Sequence, residues 1–113
     1  MIYTWRMFDS DTKKIVNRLH NHKFAGVYGI PRGGLPLATC LSHKLKIPLL
    51  LSPCENCLVV DDIADSGKTL SIHNKYFTAV LIHKYTTETK PNVHGRMYWK
   101  DDWVIFPWEN GSD

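Results

Sequence analysis

Long apolar runs are missing from this chain of 113 residues. Nothing approaches the roughly 18 consecutive apolar residues of a membrane helix, so no membrane partner is expected. The opening MIYTWRMFDSD also lacks the basic-then-apolar pattern of a secretory signal, which makes a cytoplasmic location the expectation. Cysteine is scarce: Cys40, Cys54 and Cys57 are an odd number, which argues against a disulfide framework. Cys54 and Cys57 form a C-x-x-C, but a structural zinc site needs a second ligand pair, and only histidines such as His73, His83 and His94 could supply it. Ordinary loop cysteines are expected there. Clusters of basic residues are absent too. The net charge is +3, with lysines and arginines scattered, which mildly favours anionic ligands and argues against a nucleic-acid groove. Repeats, low-complexity tracts and linkers are lacking as well. A hydrophobic share of 43% suits one globular domain, 1–113, with one core.

What is present alternates between helical and strand-like patterns. Asp9 or Ser10 reads as the N-cap of a helix over about 10–22, with Ile15, Val16 and Leu19 at helical spacing. Residues 24–30 (FAGVYGI) form an apolar run closed by Pro31, a buried strand. Gly33-Gly34 opens a second helix to about Lys46. Residues 47–51 and 57–61 read as strands, 66–77 as a helix, and 78–83 (TAVLIH) as another buried strand. Residues 86–94 read as loop, with shorter strands expected at 96–99 and 103–106. This alternation predicts an α/β fold whose mainly parallel sheet is flanked by helices. A core of about 9–86 and a small C-terminal unit of about 95–109 are expected.

The strongest signal is LVVDDIADSGKTL at 58–70. An apolar strand runs into two adjacent acids, then into a turn of small and hydroxyl residues, then into a helix start. Successive backbone N–H groups from Ala64 through Asp65, Ser66, Gly67, Lys68 and Thr69 would carry partial positive charge and lack intrahelical partners, so they favour a phosphate. Gly67 permits a positive φ and a close ligand approach. Asp61 and Asp62 need compensation if partly buried, which sugar hydroxyls and a hydrated Mg2+ would provide. The P-loop is excluded, because its first glycine would fall at position 62, which is Asp.

This stretch closely resembles the 5-phosphoribosyl-1-pyrophosphate (PRPP) motif of the type I phosphoribosyltransferases. The resemblance implies that Asp61 and Asp62 contact the ribose 2′ and 3′ hydroxyls, and the Mg2+ through water or those hydroxyls. It implies that Asp65 acts as general base near N7 of a purine and that residues 64–69 hold the 5′-phosphate. The segment GIPRGGLP at 29–36 resembles the family's pyrophosphate loop. Arg32 has donors that match phosphate oxygens, and Gly33 allows close backbone approach. The family often has a cis peptide before that arginine, here Pro31–Arg32, a bond that is costly to hold cis. Lys84 follows the strand at 78–83, where a lysine of the 6-oxopurine members donates to the purine O6. Residues 102–109 (DWVIFPWE) resemble the family's hood, which implies that Trp103 stacks on the base while backbone groups at Val104 and Ile105 read its edge.

Arg32, the Asp61–Asp62 pair and Lys84 each fall just after a predicted strand, the edge where open α/β sheets bind ligands. The implied activity is transfer of phosphoribosyl from PRPP to a 6-oxopurine base; a homodimer is expected because a small open-edged sheet gains by pairing. One feature of the family is missing. Only 52–56 separates the second and third predicted strands, where the family carries a long loop that closes over the site. Two further readings therefore stay open: a PRPP- or nucleotide-binding regulator without turnover, and a small nucleic-acid module. The short link also raises a geometric question, since a parallel return normally takes a dozen or more residues.

Overall fold

The computed structural model describes residues 1–109. Helix α1 (Trp5–Leu19) is followed by β1 (Val27–Gly29), α2 (Leu35–Leu45), β2 (Leu49–Leu50), β3 (Leu58–Ala64), α3 (Lys68–Ile72), β4 (Phe77–Lys84) and β5 (Val93–Tyr98). The strands form one sheet in the order β2-β1-β3-β4-β5, and every pairing is parallel. Parallel strands are buried on both faces and read as continuous apolar runs, as the central strands do. Leu58, Val59, Val60, Ala79, Val80, Leu81 and Ile82 are all fully buried.

α1 starts a full turn earlier than 10–22. Its buried face is Phe8, Asp11, Thr12, Ile15 and Leu19, so the helical spacing extends back past Asp9. The N-cap is Thr4, whose Oγ1 accepts from the Met7 amide at 3.1 Å, as expected of a threonine cap. α2 agrees with the sequence reading, with Gly34 as N-cap and Lys46 in a left-handed cap. α3 is far shorter than 66–77. Leu70 is its one buried residue and Ile72 is exposed, so no apolar stripe holds a longer helix onto the sheet. Ser71 Oγ also donates to the Lys68 carbonyl, the back-bonding that disfavours helix continuation. Phe77 belongs to β4 instead.

The short link after β2 resolves without an antiparallel strand. β2 is only two residues long and sits at the sheet edge beside β1, with Leu49 level with Val27 and Val27 level with Leu58. The chain therefore needs to travel sideways past β1, about 10 Å, with almost no return along the strand axis. Residues 51–57 can reach at most ~25 Å, which is ample. This link passes under β1, where the Ala25 amide donates to the Asn56 carbonyl at 2.9 Å.

The C-terminal part also differs. β5 is a full member of the sheet, so the unit outside it begins at 99 rather than 95. Residues 103–106 form no strand; they make one isolated parallel bridge, Ile2 with Ile105. Helix α1 starts at Trp5, so the core begins before residue 9. Among the described residues, no helix is long and apolar enough to cross a membrane.

Candidate active site

The site forms because β1 stops early. β1 pairs with β3 only as far as Gly29 opposite Val60. Beyond that point 30–34 leaves the sheet toward α2, and one side of β3 opens just where Asp61 and Asp62 stand. The acids lie within β3 rather than after it, and both are 9% exposed. Gly34 is required for this turn: a Cβ there would lie 2.5 Å from the Val60 carbonyl oxygen. The Pro31–Arg32 peptide is cis.

Four adjoining hollows surround the carboxyl end of β3. The largest, 770 Å³, is lined by Arg32 and Gly33 from the β1–α2 turn, Asp61 and Asp62 from β3, and Trp108 and Glu109. The second, 170 Å³, is lined by Asp61, Ala64, Asp65, Ser66, Gly67 and Thr69. The third, 60 Å³, gathers Asp65, Lys84, Trp103, Val104, Phe106 and Glu109. The fourth, 350 Å³, is lined by Asp65, Ser66, Lys68, Lys84, Glu88 and Asp101. Asp61 is shared by the first two hollows, Asp65 by the last three, and Glu109 by the first and third.

Each feature has a local cause. Gly67 has φ +88°, the left-handed conformation that glycine accommodates, and its Cα lies against the β4–β5 loop. The Glu88 amide donates to the Ser66 carbonyl at 3.0 Å, and Thr86 Oγ1 donates to the Asp65 carbonyl at 3.1 Å. The turn is thus braced from outside, leaving its inner face to the 170 Å³ hollow. Lys68 points the other way, into the fourth hollow. Burial, reinforced by the neighbouring negative charge of Asp62, pushes the Asp61 carboxyl well above the usual carboxylate range; the Asp62 amide, donating to Asp61 Oδ1 at 2.8 Å, offsets only part of this. Glu109 is also raised, by burial first and then by Asp62.

Lys84 is the last residue of β4, not the residue after it, and is 5% exposed. Its Nζ lies 3.6 Å from Asp65 Oδ1 and donates to the carbonyls of Asp101 and Asp102 at 3.5 and 3.4 Å. These long contacts leave room for a further acceptor. Trp103 is 74% exposed and forms a loose wall over Lys84. Ile105 is placed differently from the expectation. Its amide donates to Met1 O at 2.9 Å and its carbonyl accepts from the Tyr3 amide at 2.8 Å, so both its backbone groups are occupied. Glu109 and Phe106 line the pockets in addition, and the sequence reading had not singled them out. The signal for Glu109 was present in the PWE end of the hood, but nothing local distinguishes it from a surface acid.

No protein-family model matches the chain. It is 24% identical to the xanthine-guanine phosphoribosyltransferase of Nitratidesulfovibrio vulgaris over 144 aligned residues, covering 95% of this chain and 83% of the relative. Its structure superposes on the crystal structure of a purine phosphoribosyltransferase from Pyrococcus horikoshii with a TM-score of 0.85 and 26% identity, covering 97% and 94% of the two chains. The chain is related to the 6-oxopurine type I phosphoribosyltransferases. A third similarity, to the xanthine-guanine-hypoxanthine phosphoribosyltransferase of Helicobacter pylori, has a TM-score of 0.79 at 20% identity, with 96% and 93% covered, and supports the phosphoribosyltransferase fold. The alignment with the Nitratidesulfovibrio enzyme is longer than this chain itself, so that enzyme carries segments absent here.

Proposed function

We propose that this chain transfers the phosphoribosyl group of PRPP to a 6-oxopurine base, giving a nucleoside monophosphate and pyrophosphate. The observation that carries the reading is the continuity of the hollows: a phosphate cradle, a paired-acid wall and a lysine-floored pocket meet at Asp61 and Asp65. In this reading the 64–69 turn holds the 5′-phosphate, and Asp61 and Asp62 hold the ribose hydroxyls. Arg32 and the Gly33 backbone hold the pyrophosphate, and Lys84, Trp103 and Val104 hold the base.

Mg2+ fits this donor set. Asp61, Asp62 and Glu109 border one hollow, and burial together with the neighbouring Asp62 charge raises the proton affinity of Asp61 and of Glu109, a sign of uncompensated negative charge. Among the described residues no cluster of three or more side chains could hold a metal by itself. The cation would therefore take much of its shell from water and from PRPP oxygens, which is usual for magnesium. Bound, it would neutralise charge on the departing pyrophosphate. The chain's own residues do the rest. Bond breaking at C1′ leaves positive charge on the sugar, which the nearby Asp61–Asp62 pair would stabilise. Arg32 takes up charge on the leaving group. Asp65, half exposed and beside Lys84, accepts the N7 proton of the base. Lys84 donates to O6, and this orientation of base against sugar supplies much of the rate.

A cytoplasmic homodimer completes the proposal. β2 is an open sheet edge with Leu49 exposed on it and Leu51 exposed just after it, and covering such an edge is a common reason to pair. A second reading, a PRPP-binding regulator without turnover, is favoured by one observation: the link at 51–57 is too short to close over the site. Incubation with PRPP, Mg2+ and, separately, guanine, hypoxanthine, xanthine and adenine distinguishes the two. Monophosphate formed from a 6-oxopurine supports the enzyme. PRPP binding without product from any base supports the regulator.

A further inference from the structure

The wall of the base pocket has no strand of its own. After β5 the chain runs through 99–109 outside the sheet, held to the body at its start by the Met1 ammonium, which donates to the Trp103 carbonyl and to Asp102 Oδ2 at 2.7 Å each, and further on by the bridge between Ile2 and Ile105. Something must fix where that segment sits, because Trp103, Val104 and Phe106 line the pocket over Lys84. Aromatic packing alone tolerates sliding, and Tyr3, Phe106 and Trp108 do pack together, with centroids 5.0 and 6.5 Å from Tyr3. The contacts of the Met1 ammonium and of Lys84 reach only 101–103, and a further directional contact acts through Tyr3, the residue hydrogen-bonded to Ile105. The Tyr3 hydroxyl, 8 residues from its partner, donates to Asp11 Oδ2 at 2.5 Å. Asp11 lies on α1 and its side chain is fully buried. The same oxygen accepts from Arg96 Nε of β5 at 2.7 Å, and the Arg96 guanidinium also lies 5.8 Å from the Tyr3 ring centroid. Gly95 makes this approach possible: a Cβ there would come within 2.5 Å of Asp11 Cβ.

A buried ion pair rarely stabilises a fold more than apolar residues of the same volume would, and its best-attested use is to fix one arrangement among several. Here the arrangement it selects is identifiable. Tyr3 carries the hydroxyl that meets Asp11 and the amide that meets Ile105, so the charge pair is linked through one residue to the base-pocket wall.

We propose that Tyr3, Asp11 and Arg96 are positioning residues that set where residues 103–106 stand over Lys84, and hence how tightly the base is held. The use made of that wall rests on the phosphoribosyl-transfer reading; its mechanical coupling to Asp11 does not. The test is Tyr3→Phe, which keeps the aromatic packing, with Asp11→Asn as a second variant that weakens the pairing with Arg96. Hydrogen exchange is followed for 103–108 and, as an internal control, for β4. Exchange in 103–108 should quicken about tenfold with β4 unchanged, the loss expected for one charge-assisted hydrogen bond. In transfer assays the base KM should rise about tenfold while the PRPP KM and kcat stay within about twofold. Unchanged exchange at 103–108 in both variants, or equal quickening in β4, overturns the proposal. So does a rise in the PRPP KM matching that for the base. If the unmodified protein transfers nothing, the transfer reading falls, and the exchange comparison still decides the positioning role.

Discussion

Replacing Gly33 by alanine would place a methyl group 2.2 Å from Asp62 Oδ2 and 2.7 Å from its Cγ. No atom can remain at such distances, so the carboxylate must turn away. The backbone at Gly33 is in a conformation open to any residue, and what must move is the end of a side chain bordering a 770 Å³ hollow. The fold should therefore tolerate the change, with a thermal midpoint within about 3 °C of the parent. Binding should not. A hydrogen bond made by a charged group is worth roughly 1.5–3 kcal/mol, so losing the contact of Asp62 to a ribose hydroxyl should weaken PRPP about 10- to 150-fold. Gly34→Ala is the control, because its methyl meets the rigid backbone at Val60 and Ile30, and overpacking of that kind costs roughly 1–3 kcal/mol of stability. Calorimetric titration of PRPP with Mg2+ into both variants, beside their melting curves, reads the two effects separately. A Gly33→Ala protein that binds PRPP as tightly as the parent would show that Asp62 does not hold the ribose.

Gly67→Ala should lower both stability and PRPP affinity, since φ +88° strains any side chain by about 1–2 kcal/mol and the new Cβ would meet the Thr89 amide nitrogen at 2.5 Å; melting and titration together check this. Lys84→Met should raise the KM for 6-oxopurines by about 10- to 100-fold and leave the PRPP KM unchanged, measured with guanine and hypoxanthine. Asp61 holds its proton more tightly in the folded protein than in the unfolded chain, so its contribution to the stability of the free protein is largest below pH ~4 and is lost as pH rises through its elevated folded value. PRPP with Mg2+ binds the ionised pair and must expel that proton. Affinity should therefore climb with pH until it levels off near the folded value of about 8, with proton release visible as a dependence of the binding heat on buffer ionisation enthalpy.

The site was more visible in the chain than the ends of its elements were. The acids, the 64–69 turn, Arg32 and Lys84 announce themselves because each joins a special residue type to the end of an apolar run, and the parallel sheet aligns those ends. Boundaries were harder because tertiary contacts decide them. Phe8 shows that α1 reaches back a turn only once its burial is known, and the exposed Ile72 explains why α3 stops where a helical spacing continues on paper. The two-residue β2 dissolves the difficulty posed by the short link, yet its length depends on where β1 leaves it without a partner. Asp11 carries no distinguishing signal in the sequence. Its pairing with Arg96 and Tyr3 joins residues that are remote in sequence, and no local pattern signals it.

A crystal structure of the chain with PRPP and Mg2+ tests the reading most directly. The account expects the 5′-phosphate against the amides of 64–69, the ribose hydroxyls on Asp61 and Asp62, and the pyrophosphate beside Arg32. PRPP bound elsewhere, or bound there with both acids turned from the sugar, would contradict it.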